Sequence, residues 1–139
     1  MSRLLLVCAG GCIGTGARVA MIAAFPVTSG FPGAMLLINL LGAFALGLLL
    51  EALLRREGAG AGGVRLRLFL GTGLLGGFTS YSALAEAVVA LTASDAVVPA
   101  LLYGMGTVLL GGCASWAGIA VASLVRKARR ADAGEGDRA

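Results

Sequence analysis

Apolar residues dominate four long stretches of the chain, and short polar or charged segments separate them. A helix needs about 20 mostly apolar residues to cross the hydrocarbon of a bilayer, and each stretch is long enough to supply them. The pattern predicts an all-α membrane protein with four transmembrane helices, at about residues 4–25, 33–54, 68–92 and 96–125. Residues 126–139 are polar and charged, and they are predicted to form a disordered cytoplasmic tail. A cleaved signal peptide is disfavoured as the first stretch, because Arg18 interrupts it before a suitable cleavage site.

The composition supports a membrane protein of one domain. The 139 residues are 58% hydrophobic and 13% charged, with a mean hydropathy of +0.94, which lies outside the balance of soluble domains. The formal net charge is +4. Because the basic residues lie between and after the apolar stretches, contact with the bilayer surface explains them, and no nucleic-acid partner is expected.

The basic residues are distributed unequally between the two sides of the predicted bundle. One side carries both termini and ten of the eleven bases: Arg3, Arg55, Arg56, Arg65, Arg67, Arg126, Lys127, Arg129, Arg130 and Arg138. Only Arg18 falls near the other side. Since basic loops stay in the cytoplasm, the sequence predicts a multi-pass protein of the cell membrane with cytoplasmic N- and C-termini.

Asn39 is a polar residue deep within the second apolar stretch. Gly42, Ala43 and Gly47 follow at helical spacing and form a stripe of small residues with it. Two interpretations stay open. The stripe is typical of a helix-packing surface held by an amide hydrogen bond, but an asparagine N–H can also serve as a donor to an anion in a pore.

The third stretch contains Gly76 and Gly77, followed at once by four hydroxyl residues: Thr79, Ser80, Tyr81 and Ser82. This indicates a helix that is broken at mid-membrane. A break frees backbone carbonyls, which suit a small hard cation such as sodium, and a new helix N-terminus, which suits an anion. The alternative is a continuous helix with a glycine-rich packing face. Residues 71–76 also fit a dinucleotide-binding pattern, but no strand precedes them.

The fourth stretch carries small and hydroxyl residues at every fourth position: Tyr103, Thr107, Gly111 and Ser115. They fit a packing face or a polar track equally well. No enzyme is predicted, because histidine is absent and no catalytic set of side chains is evident. The three cysteines lie inside apolar runs, where small packing residues are typical, and they do not suggest a disulfide framework.

Three motifs in order give the sequence a resemblance to the Fluc/CrcB fluoride channels. Gly10-Gly-Cys-Ile-Gly14-Thr-Gly-Ala-Arg18 is similar to the family's GG-x-x-G-A-x-x-R. Asn39-Leu-Leu-Gly42-Ala-Phe44-Ala-Leu-Gly47 is similar to its V-N-x-x-G-S-F-x-x-G. Gly76-Gly77-Phe-Thr79-Ser-Tyr81-Ser82 is similar to its G-G-x-T-T-F-S. Together with the four spans, the resemblance covers nearly the whole chain.

The resemblance implies an antiparallel dimer of the dual-topology type, with two narrow pores that export fluoride passively. The carbonyls of Gly76 and Thr79 match those that hold a central sodium ion, which the two subunits share. Asn39 matches the pore asparagine that donates to fluoride, and Tyr81 stands where the first pore phenylalanine is found. The remaining matches fall into two groups: Ser82, Leu84 and Thr107 on the anion pathway, and Arg18, Gly42 and Gly77 in structural or interface positions.

The sequence departs from the family pattern at the two pore phenylalanines, which are Tyr81 and Leu84 here. A pore lined by this segment is expected to conduct poorly. The charge bias also opposes insertion in both orientations, so a homologous partner subunit of opposite bias is expected. Two alternatives are a non-conducting partner of a competent subunit and a small multidrug transporter. The transporter needs a membrane-buried carboxylate in its first span, and none is present there.

Overall fold

The computed structural model describes residues 2–25, 31–54 and 61–136, and all regular structure within these ranges is helical. Four helices are long and apolar enough to cross a membrane, which confirms the prediction of an all-α protein with four spans. We call residues 61–93 the third span and Arg67–Leu75, which has π-helical geometry, the π-segment. The elements are α1 (Arg3–Ala24), α2 (Gly33–Leu54), α3 (Ala61–Leu66), the π-segment (Arg67–Leu75), α4 (Gly76–Phe78), α5 (Tyr81–Ala93) and α6 (Val97–Gly136).

The spans pack as two parallel pairs. The third span runs parallel to α1, because Gly10 lies beside Gly73 and Gly14 beside Phe78. Helix α6 runs parallel to α2. Among the described elements, these two helices form the most extensive contact. The third span runs antiparallel to α2, because Gly42 contacts Thr79 whereas the later residue Leu49 contacts the earlier residue Gly71.

Glycines allow the backbones of α2 and α6 to touch. A Cβ atom on Gly47 would overlap the Ser115 carbonyl, and one on Gly118 would overlap the Phe44 carbonyl. Between membrane helices there is little hydrophobic driving force, so close approach of small residues is a main source of helix association. The stripe of small and hydroxyl residues on α6 therefore lies against α2, as the packing interpretation expected.

Polar contacts fix both ends of this helix pair. The Tyr103 hydroxyl donates to the Pro32 carbonyl over 3.4 Å, and its ring meets Phe31 edge-on with 5.6 Å between the centroids. At the far end, Arg126 and Glu51 form an ion pair of 2.9 Å. Contacts at both ends define the register of α2 against α6.

A second glycine contact joins α1 to the third span. A Cβ atom on Gly10 or Gly14 would overlap backbone atoms of the π-segment, and one on Gly77 would lie 2.5 Å from the Gly11 carbonyl oxygen. The Thr15 hydroxyl donates to the Gly77 carbonyl at 3.4 Å. Gly77 is thus a packing residue between two helices.

Helix α6 is longer than the sequence predicts. A disordered tail is expected from residue 126, whereas the helix continues to Gly136. Its 40 residues give the helix a length of about 60 Å. The hydrocarbon of a bilayer is only about 30 Å thick. The fall in hydropathy marks the edge of the membrane and not the end of the helix, because alanine, arginine and lysine readily extend a helix that has already formed.

The packing brings the basic residues to one end of the bundle. The start of α1, the end of α2, the start of the third span and the Glu51–Arg126 pair share this end, which we call the basic end. Its exposed bases are Arg3, Arg65, Arg67, Lys127 and Arg129. Arg55, Arg56 and Arg138, which the sequence also assigns to this side, lie outside the described residues.

The glycine contact between α1 and the third span predicts different effects of alanine at two nearby positions. In Gly14→Ala, the new methyl group meets the Leu74 carbonyl and the Phe78 nitrogen, so the free energy of unfolding should fall by about 1–3 kcal/mol. Gly16→Ala is the matched control, since nothing lies within 4 Å of a Cβ there. Thermal unfolding in detergent measures both variants, and equal losses of stability would contradict the packing.

Candidate functional site

The helical path of the third span is interrupted for two residues. Helix α4 ends at Phe78 and α5 begins at Tyr81, while Thr79 (φ −78°, ψ 156°) and Ser80 (φ −146°, ψ 111°) have extended backbone. The Thr79 hydroxyl and the Thr79 N–H both donate to the Leu75 carbonyl, over 2.9 and 3.0 Å. These bonds close the last turn before the interruption.

Ser80 begins the helix that follows. Its Oγ accepts a hydrogen bond from the Ala83 N–H at 3.2 Å, which makes it the N-cap of α5. Serine is among the residues preferred at this position, because its oxygen satisfies an amide that the first turn of a helix leaves unpaired. Ser82 contributes a contact between the two hydroxyls, with 3.2 Å from oxygen to oxygen.

Asn39 holds the extended segment from the neighbouring helix α2. Its Oδ1 accepts from the Ser80 N–H at 3.0 Å, and its Nδ2 donates to the Ser80 carbonyl at 3.4 Å. The side-chain amide thereby replaces the backbone partners that Ser80 would have in a continuous helix. An asparagine amide has two N–H donors, so one remains after the bond to Ser80.

These bonds free two particular carbonyls. In a continuous helix, the Gly76 carbonyl accepts from the Ser80 N–H and the Thr79 carbonyl accepts from the Ala83 N–H. Here the first N–H donates to Asn39 and the second to the Ser80 hydroxyl. Gly76 also faces open space, since a Cβ there would meet nothing within 4 Å. Gly76 and Thr79 are the two residues whose carbonyls the resemblance assigns to sodium.

A groove of about 390 Å³ lies beside the interruption. Seven of the ten sequence-predicted site residues line it: Asn39, Gly42, Gly76, Thr79, Tyr81, Leu84 and Thr107. Gly42 leaves room for Thr79, because a Cβ at position 42 would overlap the threonine methyl group. Seven of the ten sequence-predicted residues thus surround one cavity, at the point where α4 ends and α5 begins.

The aromatic and aliphatic positions of the groove differ in exposure. Tyr81 is 82% exposed, whereas Leu84 is 8% exposed and packs into the bundle. Both side chains also border a second, apolar groove between α5 and α6. The Tyr81 ring is therefore available for contact outside this chain.

Thr107 is buried at 5% exposure on the α6 side of the groove. Its hydroxyl donates to the Tyr103 carbonyl in its own helix over 2.7 Å. A carbonyl can only accept, so in this arrangement Thr107 presents oxygen lone pairs and no hydrogen to the groove. The hydroxyl must rotate away from Tyr103 before it can donate to an anion.

Three predicted residues lie outside the lining of this groove. Ser82 is exposed and lies about 100° from Tyr81 around α5, away from the groove, whereas Leu84 returns towards the face of Tyr81. Gly77 packs on α1, and Arg18 is half-buried further along that helix. The sequence assigned no role to Ser80, although a serine directly before a helix start is a recognisable N-cap signal.

Comparison with known proteins identifies the family. Residues 5–119 match the family described as CrcB-like protein, Camphor Resistance (CrcB). The Fluoride-specific ion channel FluC 2 of Leifsonia xyli subsp. xyli is 46% identical over 101 residues, which cover 72% of this chain and 69% of that protein. Two proteins named Fluoride-specific ion channel FluC are similarly close. The one from Chelativorans sp. is 42% identical over 105 residues (74% of this chain, 82% of that protein). The one from Thermus thermophilus is 43% identical over 105 residues (74% and 81%). The resemblance inferred from the three motifs is confirmed, and the chain belongs to the CrcB family of multi-pass membrane proteins.

Proposed function

We propose that the chain is a subunit of a fluoride-specific ion channel, which exports fluoride passively from the cytoplasm and so lowers its toxicity. The observation that carries the proposal is the pairing of Asn39 with Ser80, which opens a helix beside a groove. Relatives named as fluoride-specific ion channels support it. A passive channel of this kind is not an enzyme.

For the anion, Asn39 is the central donor. Fluoride is small and strongly hydrated, so the pathway has to replace lost water with N–H or O–H groups. The Asn39 N–H that Ser80 does not use is available, and Thr107 adds a donor once its hydroxyl turns from Tyr103. The positive ring edge of Tyr81 is a weaker partner at the exposed side of the groove.

For the cation, the freed carbonyls of Gly76 and Thr79 form one half of a sodium site. Carbonyl oxygens of unwound membrane helices are suitable ligands for sodium, and these two have lost their helical donors to Asn39 and Ser80. A hard cation takes more than two oxygens, so a second subunit has to supply the rest. Bound sodium would place a positive charge beside the anion pathway.

We further propose an antiparallel dimer in the cell membrane, with the break of the third span at mid-membrane. The basic end of this chain faces the cytoplasm, in accordance with the positive-inside rule. Because that bias favours one orientation, the partner is a homologous subunit of opposite bias. Leu84, which has no aromatic ring to offer an anion, favours the second candidate function, a partner that supports assembly without conducting.

Reconstitution of this chain in liposomes, with and without its partner, tests the function. We expect fluoride efflux, measured with a fluoride-selective electrode, when both subunits are present and little when this chain is alone. Chloride-loaded liposomes are the control for specificity. Efflux from the partner alone, as fast as from the pair, would identify this chain as non-conducting. Absence of fluoride efflux from every combination would refute the proposal.

Asn39→Asp tests the remaining amide donor. A protonated aspartate can keep both bonds to Ser80 but has no further donor, and an ionised one has none at all. Fluoride efflux should therefore fall at least about tenfold. Asn39→Ala is the comparison, since it loses both bonds and should also unfold at a lower temperature. Efflux of Asn39→Asp within about twofold of the original would show that the spare N–H is not needed.

Sodium replacement tests the carbonyl site. Protein prepared without sodium should gain about 1–3 kcal/mol of stability when sodium is added well above its dissociation constant. Potassium at equal ionic strength is the control and should have a smaller effect, because its larger radius fits a small site less well. Thermal unfolding midpoints report the difference. Identical midpoints in both salts would argue against a sodium site.

A further inference from the structure

A further cavity, separate from the two grooves described above, lies between α2 and the π-segment, close to the basic end. It has a volume of about 220 Å³. Leucines of α2 form one wall, and the start of the π-segment forms the other. The lining residues are Leu46, Leu49, Leu50 and Leu53 on one side and Arg67, Gly71 and Thr72 on the other. Arg67 and Thr72 are the polar side chains in this lining, and both are exposed.

This cavity adjoins the groove around Asn39. Leu46 and Gly71 line both spaces, so the two meet at these residues. At these shared residues the two helices are close, since a Cβ on Gly71 would be in ordinary van der Waals contact with the Leu49 Cδ2 atom, at 3.5 Å. Arg67 stands one helical turn before Gly71. The two neighbouring linings together extend from Arg67 at the basic end to Asn39.

The charge at this mouth is positive. The carboxylate of Glu51, on the same part of α2, is held by Arg126 at 2.9 Å and is absent from the cavity lining. Within the part of the chain that the structure describes, Arg67 forms no ion pair. A positive group at the mouth of an apolar cleft concentrates anions there, because the low-dielectric walls focus its field.

We infer that Arg67 is an anion-collecting residue, which attracts small monovalent anions into the cavity at the basic end and supplies them to the groove of Asn39. This inference rests on the proposed channel function and extends its pathway by one site. Arg67 acts before the anion reaches the groove, so its contribution is to the rate of arrival and not to selectivity. Long-range attraction of this type weakens as salt rises.

The inference is tested with liposomes that contain the combination of subunits that releases fluoride. Fluoride efflux from them is measured at two ionic strengths. Arg67→Gln should lower the initial rate at least about threefold at roughly 20 mM salt, and by less than about 1.5-fold at roughly 500 mM, with sodium held constant. Arg67→Lys keeps the charge and should keep the rate. Arg65→Gln is the matched control, because Arg65 is exposed at the same end but does not line the cavity.

The outcomes separate this inference from the proposed function. A salt-dependent loss in Arg67→Gln that is absent from Arg65→Gln supports the collecting role. An equal loss at both ionic strengths would mean that the variant merely reduces the amount of folded channel, and it would overturn the inference. Equal effects of the two variants would overturn it as well. If the unaltered protein releases no fluoride, the channel function itself is refuted.

Discussion

The two hydrogen bonds between Asn39 and Ser80 are the constraint on which the site depends. In a bilayer, an unpaired backbone group costs several kcal/mol, so an extended residue within a span needs a partner from another helix. Asn39 supplies that partner to both the N–H and the carbonyl of Ser80. The same bonds divert a donor from the Gly76 carbonyl and leave the Ser80 hydroxyl to cap α5. One side chain on α2 thereby stabilises the extended backbone at Ser80.

The glycine contacts make this geometry possible. Gly42 lets the Thr79 methyl group lie directly against α2, which brings the backbone of the next residue within reach of Asn39. Gly77 holds the other side of the third span against α1. The third span around Thr79 and Ser80 therefore packs between α2 and α1, and this packing on both sides supports its extended backbone. Loss of either contact would move Ser80 relative to Asn39 without altering a polar group.

Apolar length predicts the four helices, and polar residues within the spans draw attention to Asn39 and Thr79, because both are strong signals in lipid. The other residues around the groove, such as Leu84, are predicted from the family resemblance. The sequence leaves two roles open for Asn39, whose amide forms two hydrogen bonds with Ser80 in the structure and has one further N–H. It misses the function of Ser80, whose N-cap role depends on where α5 begins. It also misses the π-segment and the continuation of α6 to Gly136, since hydropathy records burial in lipid and not helical geometry.

The distribution of polar groups around the groove explains why one chain is only half of the proposed pathway. Two freed carbonyls are too few to coordinate a hard cation. The Thr107 hydroxyl is bound to Tyr103, and the Tyr81 ring projects away from its own bundle. The freed carbonyls and the exposed Tyr81 ring are thus open to contacts that a neighbouring subunit can supply. The exposed apolar face of α5 and α6 beside the groove gives such a subunit a surface to pack on. In the antiparallel dimer that we propose, the basic end would fix one orientation of this chain, and the subunit that completes the site would carry the opposite charge bias.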